Sequence, residues 1–197
     1  MLYYFVLHKP YDHLSQFTRE NPDQLTLSDL HEFPSDVYPV GRLDQDSEGL
    51  LLLTNDKKLN QLLLDPEHRH KRTYWTQVEG IPTDAALKAL RGGLDIRINK
   101  KTHRTLPAKV QLLHQDPPVG ERIPPIRFRQ NIPTSWLKIE LVEGKNRQVR
   151  RMCAKVGFPV LRLIRISIEK LELGTMPIGA VKEYNGKEMY RLLNIKK

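Results

Sequence analysis

Gly41-Arg42-Leu43-Asp44-Gln45-Asp46-Ser47-Glu48-Gly49 runs directly into Leu50-Leu51-Leu52-Leu53-Thr54-Asn55-Asp56. Carboxylates alternate at positions 44, 46 and 48, an arginine stands two residues before the first of them, and Gly49 hands the chain to a bounded apolar run of strand length. The reading is a charged loop presented from the edge of a buried strand. Asn55 or Asp56 is suited to cap a following helix in which Leu59, Leu62 and Leu63 share one face, with Pro66 as its stop. Asp44 therefore lies on a short link into a strand–helix unit, a position where catalytic groups gather on a rigid scaffold. Solvated turn residues would have the same composition, so the loop by itself assigns no chemistry.

Outward from that loop, the whole chain of 197 residues is long enough to bury a real core as one domain or two compact lobes. Apolar residues make up 39% and charged residues 28%, a balance that excludes a disordered chain. Thirty-two Lys and Arg against 23 Asp and Glu leave a formal charge of +9, which points to a polyanionic partner whose phosphates those side chains neutralise. No apolar run approaches a membrane span, and Leu2–Leu7 meets His8-Lys9-Pro10 without the pattern of a cleaved leader, so no membrane association is expected. The single cysteine, Cys153, excludes an internal disulfide and a cysteine metal cluster, and fits a reducing, cytoplasmic setting. His68-x-His70 beside Arg69 and Lys71 reads as a solvated basic connector rather than a metal site.

Along the chain, Leu2–Leu7 reads as a first strand, and residues 12–36 as polar, with a short turn or helix near Leu25, Leu27 and Leu30. Thr73–Gly80 is a strand by its β-branched and aromatic content. Thr83 caps a helix over Asp84–Arg91, stopped by Gly92-Gly93. Alternation in residues 94–115 predicts a half-buried hairpin with one charged face. Five prolines between 117 and 133, interleaved with Arg122, Arg127 and Arg129, make a long irregular stretch, read as an RNA-contacting loop, with a passive connector as the alternative. Ser135–Val142 is a strand, and Asn146 is the expected cap of a helix with Val149, Met152, Cys153 and Val156 inward and Arg147, Arg151 and Lys155 outward. Arg150 falls about 100° from Val149, at the border of the two faces. Residues 144–165 carry seven basic and no acidic side chains, a nucleic-acid-like bias. Cys153 faces inward and reads as core. Pro159–Leu173 is strand-like, and residues 174–197 read as a terminal loop and a last basic segment.

Gly41–Asp56 closely resembles motif II of the pseudouridine synthases in the RsuA-like branch that includes RluB, RluE and RluF, G-R-L-D-x-x-S-E-G-L-L-L-L-T-N-D, and matches it at every specified position. Arg72-Thr73-Tyr74-Trp75-Thr76 is similar to the family's K-x-Y-x-V, with Thr76 for the valine, and Glu143–Met152 resembles its E-G-x-x-x-Q-V-(K/R)-R-M. Ser167-Ile168-Glu169 stands where many relatives have a glycine. The resemblance implies an α+β catalytic fold over residues 1–197, built on a large mixed, mainly antiparallel sheet in two lobes flanking an RNA-binding cleft. In the family a strand followed by N-K-P or H-K-P opens the catalytic domain, and here that strand stands almost at residue 1, so an organisation without the N-terminal S4 domain is expected, as in the RluE type. It assigns Asp44 as the catalytic aspartate, Tyr74 as the ring against the target base or its sugar, and Arg150 as the basic partner of the aspartate. The implied substrate is 23S ribosomal RNA, acted on by a monomer.

The implied reaction breaks the bond from ribose C1′ to N1 of uridine and remakes it to C5, which calls for no metal, nucleotide or other cofactor. A carboxylate can attack C1′ or remove the 2′ proton. Burial alone disfavours a charged carboxylate, whereas an adjacent guanidinium favours it. The target base must leave the stack, and Tyr74 is suited to hold it. Expected RNA contacts are Arg42, from the catalytic loop, with Lys9, Arg72, Arg127, Arg129, Lys145, Arg147 and Arg151. Two other classes use the same residues differently: a noncatalytic RNA-binding or assembly factor, and a nuclease holding Mg²⁺ with Asp44, Asp46 and Glu48.

Overall fold

The computed structural model describes residues 1–127 and 129–195. In chain order the elements are β1 (Tyr4–Lys9), β2 (Tyr38–Pro39), β3 (Glu48–Thr54), α1 (Lys57–Leu64), β4 (Arg72–Glu79), α2 (Asp84–Gly92), β5 (Asp95–Ile98) and β6 (Lys101–Arg104). They continue with β7 (Lys109–Leu113), β8 (Thr134–Leu141), α3 (Gln148–Lys155), β9 (Val160–Ile168), β10 (Leu171–Glu172), β11 (Val181–Glu183) and α4 (Gly186–Leu192). The architecture is α+β with mainly antiparallel strand pairing, as expected. Two compact units divide it: Met1–His70 with Ile164–Lys197, and Lys71–Leu163.

The first unit is built around β3, whose seven residues are all buried. Its leucines face apolar neighbours on both sides, which is why the strand reads as an unbroken run rather than an alternation. β1 pairs antiparallel along its whole length, from Tyr4↔Thr54 to Lys9↔Gly49, and β11 covers the far side of β1. On its other side β3 meets β2 at its end and runs parallel to β9 at its start, through Glu48↔Ile164 and Gly49↔Arg165. A Cβ on Gly49 would lie 2.3 Å from the carbonyl oxygen of Arg165, and the residue's φ of +104° also favours glycine. Phe5, Leu7, Leu27, Val37, Leu43, Leu51 and Leu53 form one apolar cluster of this unit.

Asp56 caps α1 as expected, accepting the Lys58 and Leu59 amides at 3.0 and 3.1 Å. Its second oxygen accepts the Tyr4 and Tyr190 hydroxyls at 2.7 and 2.9 Å, so one buried carboxylate ties the first strand and α4 to the start of α1. Burial pushes this carboxyl up, but the bonds from Tyr4, Leu59, Tyr190 and Lys58 outweigh it and hold it below its ordinary value. The two phenols respond oppositely: burial and the carboxylate raise Tyr4, and push Tyr190 up to about 12.

In the second unit the strand order is β4-β8-β7, all antiparallel, with a separate β5–β6 hairpin. α2 and α3 contribute Leu87, Leu90, Val149, Met152 and Cys153 to one core with Val78, Val110, Leu137 and Ile139. Thr83 caps α2 as expected, accepting the Ala86 amide.

Four expectations need correction. The hairpin of residues 94–115 is closed by β5 and β6, because Asn99 and Lys100 both take positive φ and make a two-residue turn, while β7 pairs with β8. His70 is not solvated: it is buried, with Nδ1 3.3 Å from Glu169. The helix of residues 148–155 is preceded by Arg147, in the left-handed region at φ 51°, rather than capped by Asn146. Residues 174–195 hold a strand and a helix, β11 and α4, and the end of the expected basic segment, residues 196–197, lies outside the described residues.

Removing the shared acceptor should be costly. Asp56→Ala is expected to lower the unfolding free energy by about 3 kcal/mol in urea denaturation at neutral pH. Because the folded carboxyl titrates below its ordinary 3.8, its contribution is complete above that pH and disappears as pH falls through the lower folded value, so wild type and Asp56→Asn converge in acid. Thr76, standing where the family pattern has valine, is fully buried and its hydroxyl has no hydrogen-bond partner among the described residues. Thr76→Val is expected to raise stability by about 1 kcal/mol in the same assay.

Candidate active site

Asp44 opens a tight turn closed by the Ser47 amide on its own carbonyl at 3.0 Å. Leu43, just before it, is buried in the apolar cluster, and the Ser15 hydroxyl both accepts the Leu43 amide at 3.1 Å and donates to the Leu43 carbonyl at 2.8 Å. The Asp12 amide donates to the Gln45 carbonyl at 2.9 Å, and the Gln45 side chain donates back to the Asp12 carboxylate at 2.6 Å. The segment after β1 thus forms a bed on which the turn is fixed from three sides. The half-buried Asp44 side chain is thus carried on a fixed backbone, which narrows where its carboxylate can reach, as attack at a defined carbon or removal of a defined proton requires.

Lys9 completes the bed, and its position corrects the expectation that it contacts RNA. It is 0% exposed, and its ammonium donates to the carbonyls of Pro10, His13 and Gln45 at 2.8, 2.6 and 3.4 Å. Burial pushes its pKa down to about 8, while Glu48, Asp46, Asp12 and Asp44 pull it back up. The lysine is a positive support beneath the acidic loop rather than a phosphate contact. Arg42 is exposed beside the turn, and Glu48 is buried within β3. Among the described residues no group of three or more histidine, cysteine, aspartate or glutamate side chains could hold a metal ion.

The remaining predicted residues belong to the second unit. Tyr74 lies within β4, partly buried against the apolar core, and Arg72 starts the same strand. The turn before α3 is shaped by Glu143 and Gln148: Gln148 accepts the Lys145 amide at 3.0 Å and donates to Glu143 at 2.6 Å, and Glu143 also accepts the Leu106 amide at 2.7 Å. Lys145 and Arg147 are left exposed. Arg150 is half-buried, with a guanidinium nitrogen 3.4 Å from the Val160 carbonyl. Arg151 donates to Asn146 and to the Arg97 carbonyl, Arg129 pairs with Glu79 at 2.8 Å while remaining exposed, and Arg127 is exposed as well. Burial pushes the Cys153 thiol up to about 12, which suits a core residue and not a nucleophile.

Lys9, Arg42 and Asp44 are therefore neighbours in one unit, and Tyr74, Arg72, Lys145, Arg147, Arg150 and Arg151 share the other. Ser15, Asp12, Glu143 and Gln148 carry supporting roles that sequence reading missed. Glu143 and Gln148 were legible as fixed positions of a motif, while Ser15 and Asp12 carry no signal outside the fold.

Residues 3–155 match the sequence profile of the RNA pseudouridylate synthase family. The chain belongs to the pseudouridine synthases. This synthase is 49% identical over 178 residues to ribosomal large subunit pseudouridine synthase E of Vibrio vulnificus, covering 90% of the chain and 73% of that relative. It is 48% identical over 164 residues to the protein of the same name from Xanthomonas axonopodis pv. citri, covering 83% and 84%. A pseudouridylate synthase crystal structure superposes with a TM-score of 0.78 at 25% identity, covering 98% of this chain and 74% of that one.

Lys9→Met should separate support from stability in this synthase. Three carbonyls lose a donor, and turnover is expected to fall at least tenfold, on the order of the cost of leaving one such group unsatisfied. Since the folded lysine titrates near 8 and the unfolded one at 10.5, the native state binds fewer protons between those values, so the lysine's contribution to stability rises with pH in that window. Denaturation at pH 7 to 10 should show wild type gaining on Lys9→Met by up to about 1.4 kcal/mol per pH unit above 8.

Proposed function

We propose that this synthase isomerises a specific uridine of large-subunit (23S) ribosomal RNA to pseudouridine, without a cofactor, as a cytoplasmic monomer. The bond from C1′ to N1 breaks, a bond from C1′ to C5 forms, the hydrogen on C5 leaves to solvent and N1 gains a proton. Asp44 acts at the sugar, Tyr74 stacks against the target base, and Arg150 supplies the positive partner charge. Arg42, Arg72, Arg127, Lys145 and Arg147 contact phosphates, in keeping with the +9 charge of the chain. The large-subunit assignment is supported by the names of the relatives that are nearly half identical to this chain. The observation that carries the reading is the Asp44 turn, fixed by Lys9, Asp12 and Ser15 and embedded in a sixteen-position family motif. No helix among the described residues is long and apolar enough to cross a membrane.

Tritium release from 5-tritiated uridine in unmodified ribosomal RNA tests the proposal. Wild type should release tritium, and Asp44→Ala and Asp44→Asn should be slower by about a thousandfold or more, the scale of losing an essential nucleophile or base. Equal release from wild type and Asp44→Ala would remove Asp44 from the chemistry. No release from any ribosomal RNA would favour a noncatalytic RNA-binding factor.

A further inference from the structure

We propose that the pocket between β4 and the proline-rich connector receives an unstacked base of the RNA substrate other than the target uridine, and so contributes to site selection. The inference rests on the proposed function for the identity of the ligand, but its evidence is separate. β7 and β8 are hydrogen-bonded neighbours, with Leu113 opposite Trp136, and such a pair can be joined by two to five residues. This chain uses residues 114–133 instead, with no helix or strand among those described.

The connector is tied down rather than trailing. Buried Arg162 donates to the Gly120 carbonyl at 2.7 Å, the Gly80 amide donates to the Pro133 carbonyl at 2.7 Å, and Arg129 pairs with Glu79. Between these ties lies a pocket of about 550 Å³, within the ordinary range for small-ligand sites. Ile126, Ile132 and Leu161 give it apolar surface that suits the flat face of a base. The amides of Gln77, Gln130 and Asn131 offer both donors and acceptors, the chemistry of base edges. Gln77 spends one N–H on Thr134 at 3.2 Å, leaving its carbonyl oxygen for a ligand. Glu79, the acid of the pocket, is neutralised by Arg129, and Arg127 adds a phosphate partner.

The occupant is not the target base. Side chains alternate along β4, so Gln77 and Glu79 lie on the face opposite Tyr74 and Val78, which pack on the helix-covered core. Sequence-specific RNA recognition favours unpaired segments whose bases can be splayed out, and a second base holder separate from the target-base residue reads one more position of such a segment.

The test compares wild type, Asn131→Ala and the double variant Gln77→Leu/Asn131→Ala, with thermal unfolding confirming that each is folded. Substrates are ribosomal RNA fragments substituted singly at each unpaired position around the target. The double variant should show KM raised about tenfold with kcat within about twofold, the single variant a smaller shift in KM, and one position that matters to wild type should cease to matter. Unchanged KM together with unchanged preference at every position overturns the proposal. If wild type releases no tritium, the functional reading fails, and the pocket is judged by filter binding of the same fragments: about tenfold weaker binding by the double variant supports it, and equal binding overturns it. Competition by free uridine or cytidine monophosphate as effective as the whole fragment would also overturn it, since the pocket would then take a free nucleotide.

Discussion

A single buried ammonium holds the acidic loop in place. Lysine is almost never enclosed unless its charge is matched, because removing it from water costs several kcal/mol. Lys9 is matched by three carbonyls and by the field of four carboxylates, and those carbonyls come from both the segment after β1 and the Asp44 turn. The bond set ties two strands that are already in register through Lys9 and Gly49. Gly49 then permits the backbone of β9 to approach where any side chain would collide. The conformation of the turn thus follows from strand pairing, one missing Cβ and the bonds from Lys9, Asp12 and Ser15, together with the turn's own Ser47–Asp44 bond.

The second unit solves a similar problem with an apolar core and a carboxylate–amide pair. Its core of leucines, valines and isoleucines fixes β4 and α3, which carry Tyr74 and Arg150. The turn into α3 is shaped by the Glu143–Gln148 pair, which accepts the Leu106 and Lys145 amides, while α3 itself starts without a side-chain cap. Arg147 can then adopt a left-handed backbone at the helix start, an uncommon state for a residue with a Cβ. Arg151 closes the turn from within the helix by bonding Asn146.

How much of this was legible in the sequence varied with the physical signal. β3 and the helices α1 and α2 were readable because apolar spacing and short polar caps agree, and Asp56 and Thr83 do accept the amides their positions imply. Pairing was not: alternation tells which face of a strand is buried but not which strand lies beside it, so β7 could be matched to β5 when its partner is β8 across a long connector. The turn at Asn99 and Lys100 lacks the glycine that usually marks a tight hairpin. Lys9 was misread because a lysine beside a proline has the look of surface, and only the fold reveals that its stem runs inward. β11 and α4 are too short for periodicity to register.

The division of the chain also sets an order of assembly. The unit bearing Tyr74 and Arg150 is one continuous segment, whereas the unit bearing Asp44 is completed by the segment after Leu163, which supplies most of β9 and all of β11 and α4. On a ribosome, the inner segment is free to collapse while the edge of β1 still lacks its cover. The edge of β1 gains its covering strand only when the chain has been made through β11, long after the Asp44 turn itself has been synthesised.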